Sequence, residues 1–193
     1  IHILIDLSGH SKKNRLPIFI NKPAPIQATW AGFLGSTGIP EIDYIIGDPY
    51  VTPKNHTSHF TEKIFRLPNI WCCFSVPKFK IEINELPAIK NRYITFGSFN
   101  NLTKINDKVI ALWSKILLAV PKSKIFLKTK ELGNLSIKKL IINKFKKNKI
   151  NSDSIILEGA SPRNELLATY NKIDIILDPF PYSGGTTSFE STW

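Results

Sequence analysis

Short β-branched runs alternate with amphipathic helical stretches through the second half of this chain, and that rhythm restricts the fold more than any other feature. Candidate strands are residues 1–7, 26–30, 44–46, 63–67, 93–99, 124–128, 154–157 and 173–177. Between Asp107 and Val120 the apolar residues Val109, Trp113, Ile116 and Val120 recur at helical spacing, and Pro121 ends the run. A second helix is predicted from Ser136 to about Lys147. A third opens at Ser161-Pro162, a capping residue followed by proline at the first helical position, and continues to Tyr170. Strand–helix alternation builds βαβ units and a mostly parallel sheet, which binds ligands beyond the carboxyl ends of its strands. Residues 74–92 carry Pro77, Pro87 and several charges but little periodicity, so they read as a connector between two domains. Asp43-Tyr44-Ile45-Ile46-Gly47-Asp48-Pro49 is echoed by Asp174-Ile175-Ile176-Leu177-Asp178-Pro179, which hints at two related halves.

Composition excludes several classes. The formal net charge of +11 is carried mostly by lysine, densest at Lys138, Lys139, Lys144, Lys146, Lys147 and Lys149. Interleaved with Leu140, Ile141, Ile142 and Phe145, these lysines form the wet face of an amphipathic helix, so no nucleic-acid partner is expected. No apolar run approaches the roughly 20 residues that span a bilayer, and no membrane association is expected. Cys72 and Cys73 stand alone, without a disulfide or metal-ligand pattern. His2, His56 and His59 show no ligand spacing, and no Asp-x-Asp pair occurs, so no metal site and no cofactor are predicted. The chain has no methionine, opens within an apolar run and stops at Trp193 in a helix-like stretch; we read it as a piece cut at both ends.

Three segments carry candidate chemistry. In Asp178–Glu190 an apolar strand ends and prolines bend the chain. Gly184 and Gly185 then admit a close ligand, and Thr186 and Thr187 supply hydroxyls where a helix begins. Free amides at such a start suit a phosphate, and Glu190, one turn on, suits ribose hydroxyls. The same residues also make an ordinary glycine turn with threonine caps. In Thr95–Lys104, again at a strand end, Lys104 can neutralise a leaving diphosphate and Asn101 offers both donor and acceptor. Read alone, Lys104 is also a plain surface lysine. In Asp6–Arg15, His10 can serve as base or hydrogen-bonding residue and Arg15 as an anion clamp, although a histidine in a turn is often structural.

Together these segments resemble the protein O-GlcNAc transferase and Spindly family, glycosyltransferase family 41. Five phrases carry the resemblance in order: residues 6–10, 22–32, 36–40, 99–104 and 178–190. It implies a GT-B architecture of two Rossmann-like halves with mostly parallel sheets, incomplete at both ends. Residues 1–75 would be the C-terminal part of the first half, 76–91 a connector, and 92–193 the first part of the second, nucleotide-sugar-binding half. Tetratricopeptide repeats usually precede this region, and the short connector resembles bacterial members. By the same resemblance Lys104 meets the donor diphosphate and Arg15 lies near the active cleft as a further catalytic candidate, beside His10 from the reading of its own turn. Asn101, Gly185, Thr186 and Thr187 would lie at the phosphates, Glu190 at the ribose, and Ser161 and Arg163 at the base. Arg163 stands for a lysine of the animal enzymes, Asn101 for a glutamine and Gly185 for a histidine.

The activity implied is metal-independent, inverting transfer of a sugar to protein Ser or Thr hydroxyls. The expected donor is UDP-GlcNAc, acting as substrate with no further cofactor, in a cytoplasmic protein. The alternatives are GDP-fucose as donor, as in the Spindly branch, or a scaffold that keeps the fold without catalysis. The family's proposed histidine would precede Ile1, so these residues alone are expected to be inactive.

Overall fold

The computed structural model describes all residues, 1–193, and divides them into two compact units, Ile1–Ser75 and Val76–Trp193. The first unit is a parallel sheet of β1 (Ile3–Asp6), β2 (Ile26–Thr29), β3 (Tyr44–Gly47) and β4 (Lys63–Arg66), in that spatial order. Helix α1 (Leu16–Phe19) lies between β1 and β2 in the chain. It buries Leu16 and Phe19 with Ile42, against Leu4 and Ile39.

The second unit begins with a stretch poor in regular structure and a short helix, α2 (Pro87–Asn91), inside the segment expected to be a plain connector. Pro87 presets the first helical turn, and Arg92, left-handed at φ 60°, closes it. Then follow β5 (Thr95–Ser98), α3 (Asp107–Ala119), β6 (Lys124–Lys128), α4 (Leu135–Lys147), β7 (Ile155–Glu158), α5 (Arg163–Thr169), β8 (Ile175–Ile176) and α6 (Thr186–Thr192). All four strands are parallel, in the order β7-β6-β5-β8.

Alternate strand residues point to opposite faces. Phe96, Ile125, Leu127 and Ile155 pack against Val109, Ile110, Trp113 and Leu117 of α3 and Ile141 and Phe145 of α4. The other face carries Phe99, Phe126 and Ile173, with Tyr170 and Ile176 against them. Lys139, Lys146, Lys147 and Lys149 are exposed on the outer side of α4 and just beyond it, and Leu140 stays exposed among them. No helix is long and apolar enough to cross a membrane.

Two expectations need correction. Helix α5 starts one residue later than its sequence suggests: Pro162, still extended at ψ 153°, is the capping position, and Ser161 makes no cap. The last strand shrinks to two paired residues, flanked by single backbone bonds from Asp174 N to Thr95 O at 2.9 Å and from Leu177 N to Gly97 O at 2.7 Å. Asp174 supplements so short a pairing, its Oδ2 accepting the Thr95 amide at 2.8 Å while its own amide donates to Thr95 O at 2.9 Å. Asp43 repeats this at the head of β3, with Gln27 as partner at 2.7 and 2.9 Å. The echo read in the sequence is thus a shared device: an aspartate that clips the start of a strand to its neighbour.

Candidate functional site

The second unit's chain runs outward from β5 to β7 and returns to β8 on the far side of β5. Ligand crevices of doubly wound sheets open where the strand order reverses, past the carboxyl ends of those two strands. Here the loop after β5 supplies Asn100, Asn101 and Lys104, and the loop after β8 supplies Asp178 and Ser183–Thr187. The structure brings these together. Lys104 reaches across, its Nζ donating to Ser183 O at 2.7 Å and lying 4.6 Å from the centre of the Tyr182 ring.

Beneath this bridge runs a hydrogen-bond network. Asp178 Oδ1 accepts the Gly184 amide at 2.8 Å and Asn100 Nδ2 at 3.1 Å, and Thr187 Oγ1 donates to Asn100 Oδ1 at 3.2 Å. Gly184 is required by space, since a Cβ there would fall 2.3 Å from Ser188 Oγ, 2.8 Å from Thr187 Oγ1 and 2.9 Å from Asp178 Oδ1. At Gly185 a Cβ meets nothing within 4 Å, so that position has room for a side chain. Gly185 caps α6, whose first amides, like those of any helix, lack intrahelical partners.

Glu190 is buried within α6 and held by Arg163, which reaches it from α5, while Tyr170 Oη lies 3.4 Å from its second oxygen and 3.3 Å from Thr187 O. Burial first, and then the Glu190 carboxylate, push the Tyr170 hydroxyl well above the usual phenol range, so it remains a donor. Asn101 turns inward on its own loop, accepting Thr103 N at 3.0 Å and Thr103 Oγ1 at 2.9 Å, which shapes the turn that presents Lys104. Ser161 keeps a buried hydroxyl with no hydrogen-bond partner. It lines a cleft of about 560 Å³ together with Lys128, Glu158 and Thr169. Burial raises the Glu158 carboxyl, but hydrogen bonds from Lys128 and Lys172 outweigh it and hold the group below its ordinary value.

The remaining two candidates lie in the first unit. His10 is exposed in the turn after β1, its Nε2 3.1 Å from Thr37 O and its ring edge-on to Phe33 at 5.6 Å. Arg15 is exposed at the start of α1. No group of three or more His, Cys, Asp or Glu side chains gathers anywhere with metal-binding geometry. Asn100, Asp178 and Tyr170 were not singled out from sequence as site residues. The first two carried a signal, each being the polar residue where an apolar strand gives out; Tyr170 carried none.

A cation and a cluster of donors at a strand-order reversal suit a bound anion, and the fold itself is a known one. The structure superposes on a mutant form of an O-GlcNAc transferase from Thermobaculum terrenum with a TM-score of 0.92 at 35% identity, over all of this chain and 36% of that one. The fold class is therefore that of the GT-B glycosyltransferases. The family model described as Glycosyl transferase family 41 matches residues 1–77 and 81–193, and the chain belongs to that family. A rice protein named as a probable UDP-N-acetylglucosamine–peptide N-acetylglucosaminyltransferase SPINDLY is 38% identical over 194 residues. Its Petunia hybrida counterpart is 36% identical over 194 residues. Both alignments take in all of this chain, which spans only 21% of either relative.

Proposed function

We propose that this chain is part of the catalytic region of a protein O-glycosyltransferase, and that its second unit holds the diphosphate of a nucleotide-sugar donor. UDP-GlcNAc is the donor named in its relatives and the one we assign. The observation that carries this reading is the span of Lys104 across the crevice, 2.7 Å from Ser183 O, beside the glycine–threonine turn. An ammonium so placed meets the negative charge that grows on a departing diphosphate, where electrostatic stabilisation contributes most. An acceptor Ser or Thr hydroxyl oxygen attacks the anomeric carbon from the face opposite the diphosphate, and its proton passes to solvent water. The carbon–oxygen bond to phosphate breaks, its electron pair leaves with the nucleotide, and the sugar inverts. Lys104 and the first turn of α6 receive the charge, without a metal. Ser161 and Arg163 serve the base side, Arg163 while also holding Glu190.

In the complete protein, Lys104→Ala should lower transfer from UDP-GlcNAc by roughly a hundredfold or more, as losing one such charge donor does elsewhere. Its partly exposed contacts predict an unchanged melting temperature. Near-normal turnover removes Lys104 from the mechanism. Thermal stabilisation by UDP-GlcNAc but not GDP-fucose supports the assigned donor. Stabilisation by GDP-fucose alone moves the activity to protein O-fucosylation. If neither nucleotide sugar nor free nucleotide binds, the protein is a scaffold that has kept the fold.

A further inference from the structure

Asn100 is only 3% exposed and leaves β5 directly ahead of the turn that bears Lys104. Its amide has one orientation available. The Asp178 carboxylate can only accept, so the nitrogen faces it at 3.1 Å, and the amide oxygen is left for the Thr187 hydroxyl at 3.2 Å. The same carboxylate oxygen takes the Gly184 amide at 2.8 Å. Two side chains thereby tie the end of β5, the end of β8 and the start of α6 to one another.

The geometry points to Asn100 and Asp178 as positioning residues that fix the span between Lys104 and the Gly184–Thr187 turn. They also commit the Thr187 hydroxyl proton internally, so that an anionic ligand takes its hydroxyl hydrogen bond from Thr186. A hydroxyl has one proton to give, and that of Thr187 is used on Asn100. Thr186 is exposed at the first position of α6. This inference rests on the diphosphate site proposed above. It adds that the site's spacing is set by the buried Asn100 amide paired with the exposed Asp178 carboxylate, a pair that itself touches no ligand.

The test is a charge swap in the complete protein, with UDP binding measured by calorimetry and transfer kinetics measured with UDP-GlcNAc. Asn100→Asp sets two carboxylates against each other. It should lower kcat on the order of a hundredfold, the scale at which a misplacement of about an ångström is felt. Asp178→Asn keeps an oxygen that accepts both bonds without charge, and should cost less. Combining Asn100→Asp with Asp178→Asn restores complementarity. The 178 amide must turn to do so, since one oxygen of Asp178 serves both partners in the wild type; its nitrogen then donates to the carboxylate at 100, which accepts the Thr187 hydroxyl, and its oxygen accepts the Gly184 amide. The double variant should recover kcat by about tenfold over Asn100→Asp, a coupling that a general loss of stability would not produce.

Thr186→Val should weaken UDP binding more than Thr187→Val, which should lower kcat instead. A double variant no better than Asn100→Asp, full kcat in Asn100→Asp, or the reverse order for the threonines overturns the inference while the donor site stands. A wild-type protein that neither binds UDP nor transfers sugar overturns both.

Discussion

Replacing Gly184 by alanine adds one methyl group to the tightest point of the site. That carbon would lie 2.3 Å from Ser188 Oγ, 2.8 Å from Thr187 Oγ1 and 2.9 Å from Asp178 Oδ1, all inside the closest approach real side chains make. Ser188 can rotate away. Thr187 and Asp178 cannot move without lengthening the bonds of 3.2 and 3.1 Å that they make to Asn100. Overpacking of this kind costs about 1–3 kcal/mol. If the strain falls on the geometry of transfer, kcat/KM drops roughly five- to 150-fold. Gly185→Ala is the matched control, because its methyl group meets nothing within 4 Å and its effect should be several-fold smaller. The assay is initial-rate transfer from UDP-GlcNAc by the complete protein, with circular dichroism to verify folding. Equal kcat/KM for the two variants, or a larger loss at Gly185, would refute the claim that packing at Gly184 sets the site.

In the first unit, Asp48 accepts the amides of Tyr50 at 2.7 Å, Val51 at 2.8 Å and Trp71 at 2.7 Å while almost wholly buried. Asp48→Asn turns an amide nitrogen toward one of these donors and should destabilise by about 1–3 kcal/mol in urea unfolding; an unchanged midpoint would contradict this. Burial raises the Asp48 carboxyl, but its three amide donors outweigh that and hold it below the ordinary value; Asp43 is lowered chiefly by its hydrogen bond from Lys22. Carboxyls depressed by folding contribute their full stability above about pH 4 and lose it as pH falls through the folded values. Melting temperature should therefore decline between about pH 4 and pH 2, and a flat profile there would count against these clips. Tyr170→Phe keeps the ring on Phe99 and removes a hydroxyl whose contacts are long, at 3.3 and 3.4 Å. Its cost should stay below about 1 kcal/mol by chemical denaturation, and a loss of twice that would show a tighter bond.

The periodicity that buries Val109 and Trp113 against Phe96 and Ile125 was legible, because the side of a helix that packs is written into its spacing. Strand ends were legible to within a residue or two where the apolar runs stop. The start of α5 was not, since Pro162 suits both the residue inside a helix and the extended residue before it. At the site, Lys104 and the Gly184–Thr187 turn announced themselves as a charge and a glycine pair beside strand ends. Asn100 and Asp178 matter through a pairing between residues separated by 78 positions, and nothing local to either encodes the partner. Glu190 shows the converse. Its sequence position suggested a carboxylate open to ribose, and the structure finds it already engaged by Arg163 and Tyr170.

The clip at Asp174 has a consequence for what mutation can reach. β8 pairs through only two residues, so its alignment depends on this side chain more than on its length. Apolar residues between the clip and the crevice can be exchanged for one another, because neither bond at Thr95 involves them. Adding or deleting one residue there is different: it would turn alternate side chains to the wrong face and carry Asp178 out of reach of Asn100. Lineages of this protein should therefore drift freely in composition along this stretch while keeping the count of residues fixed.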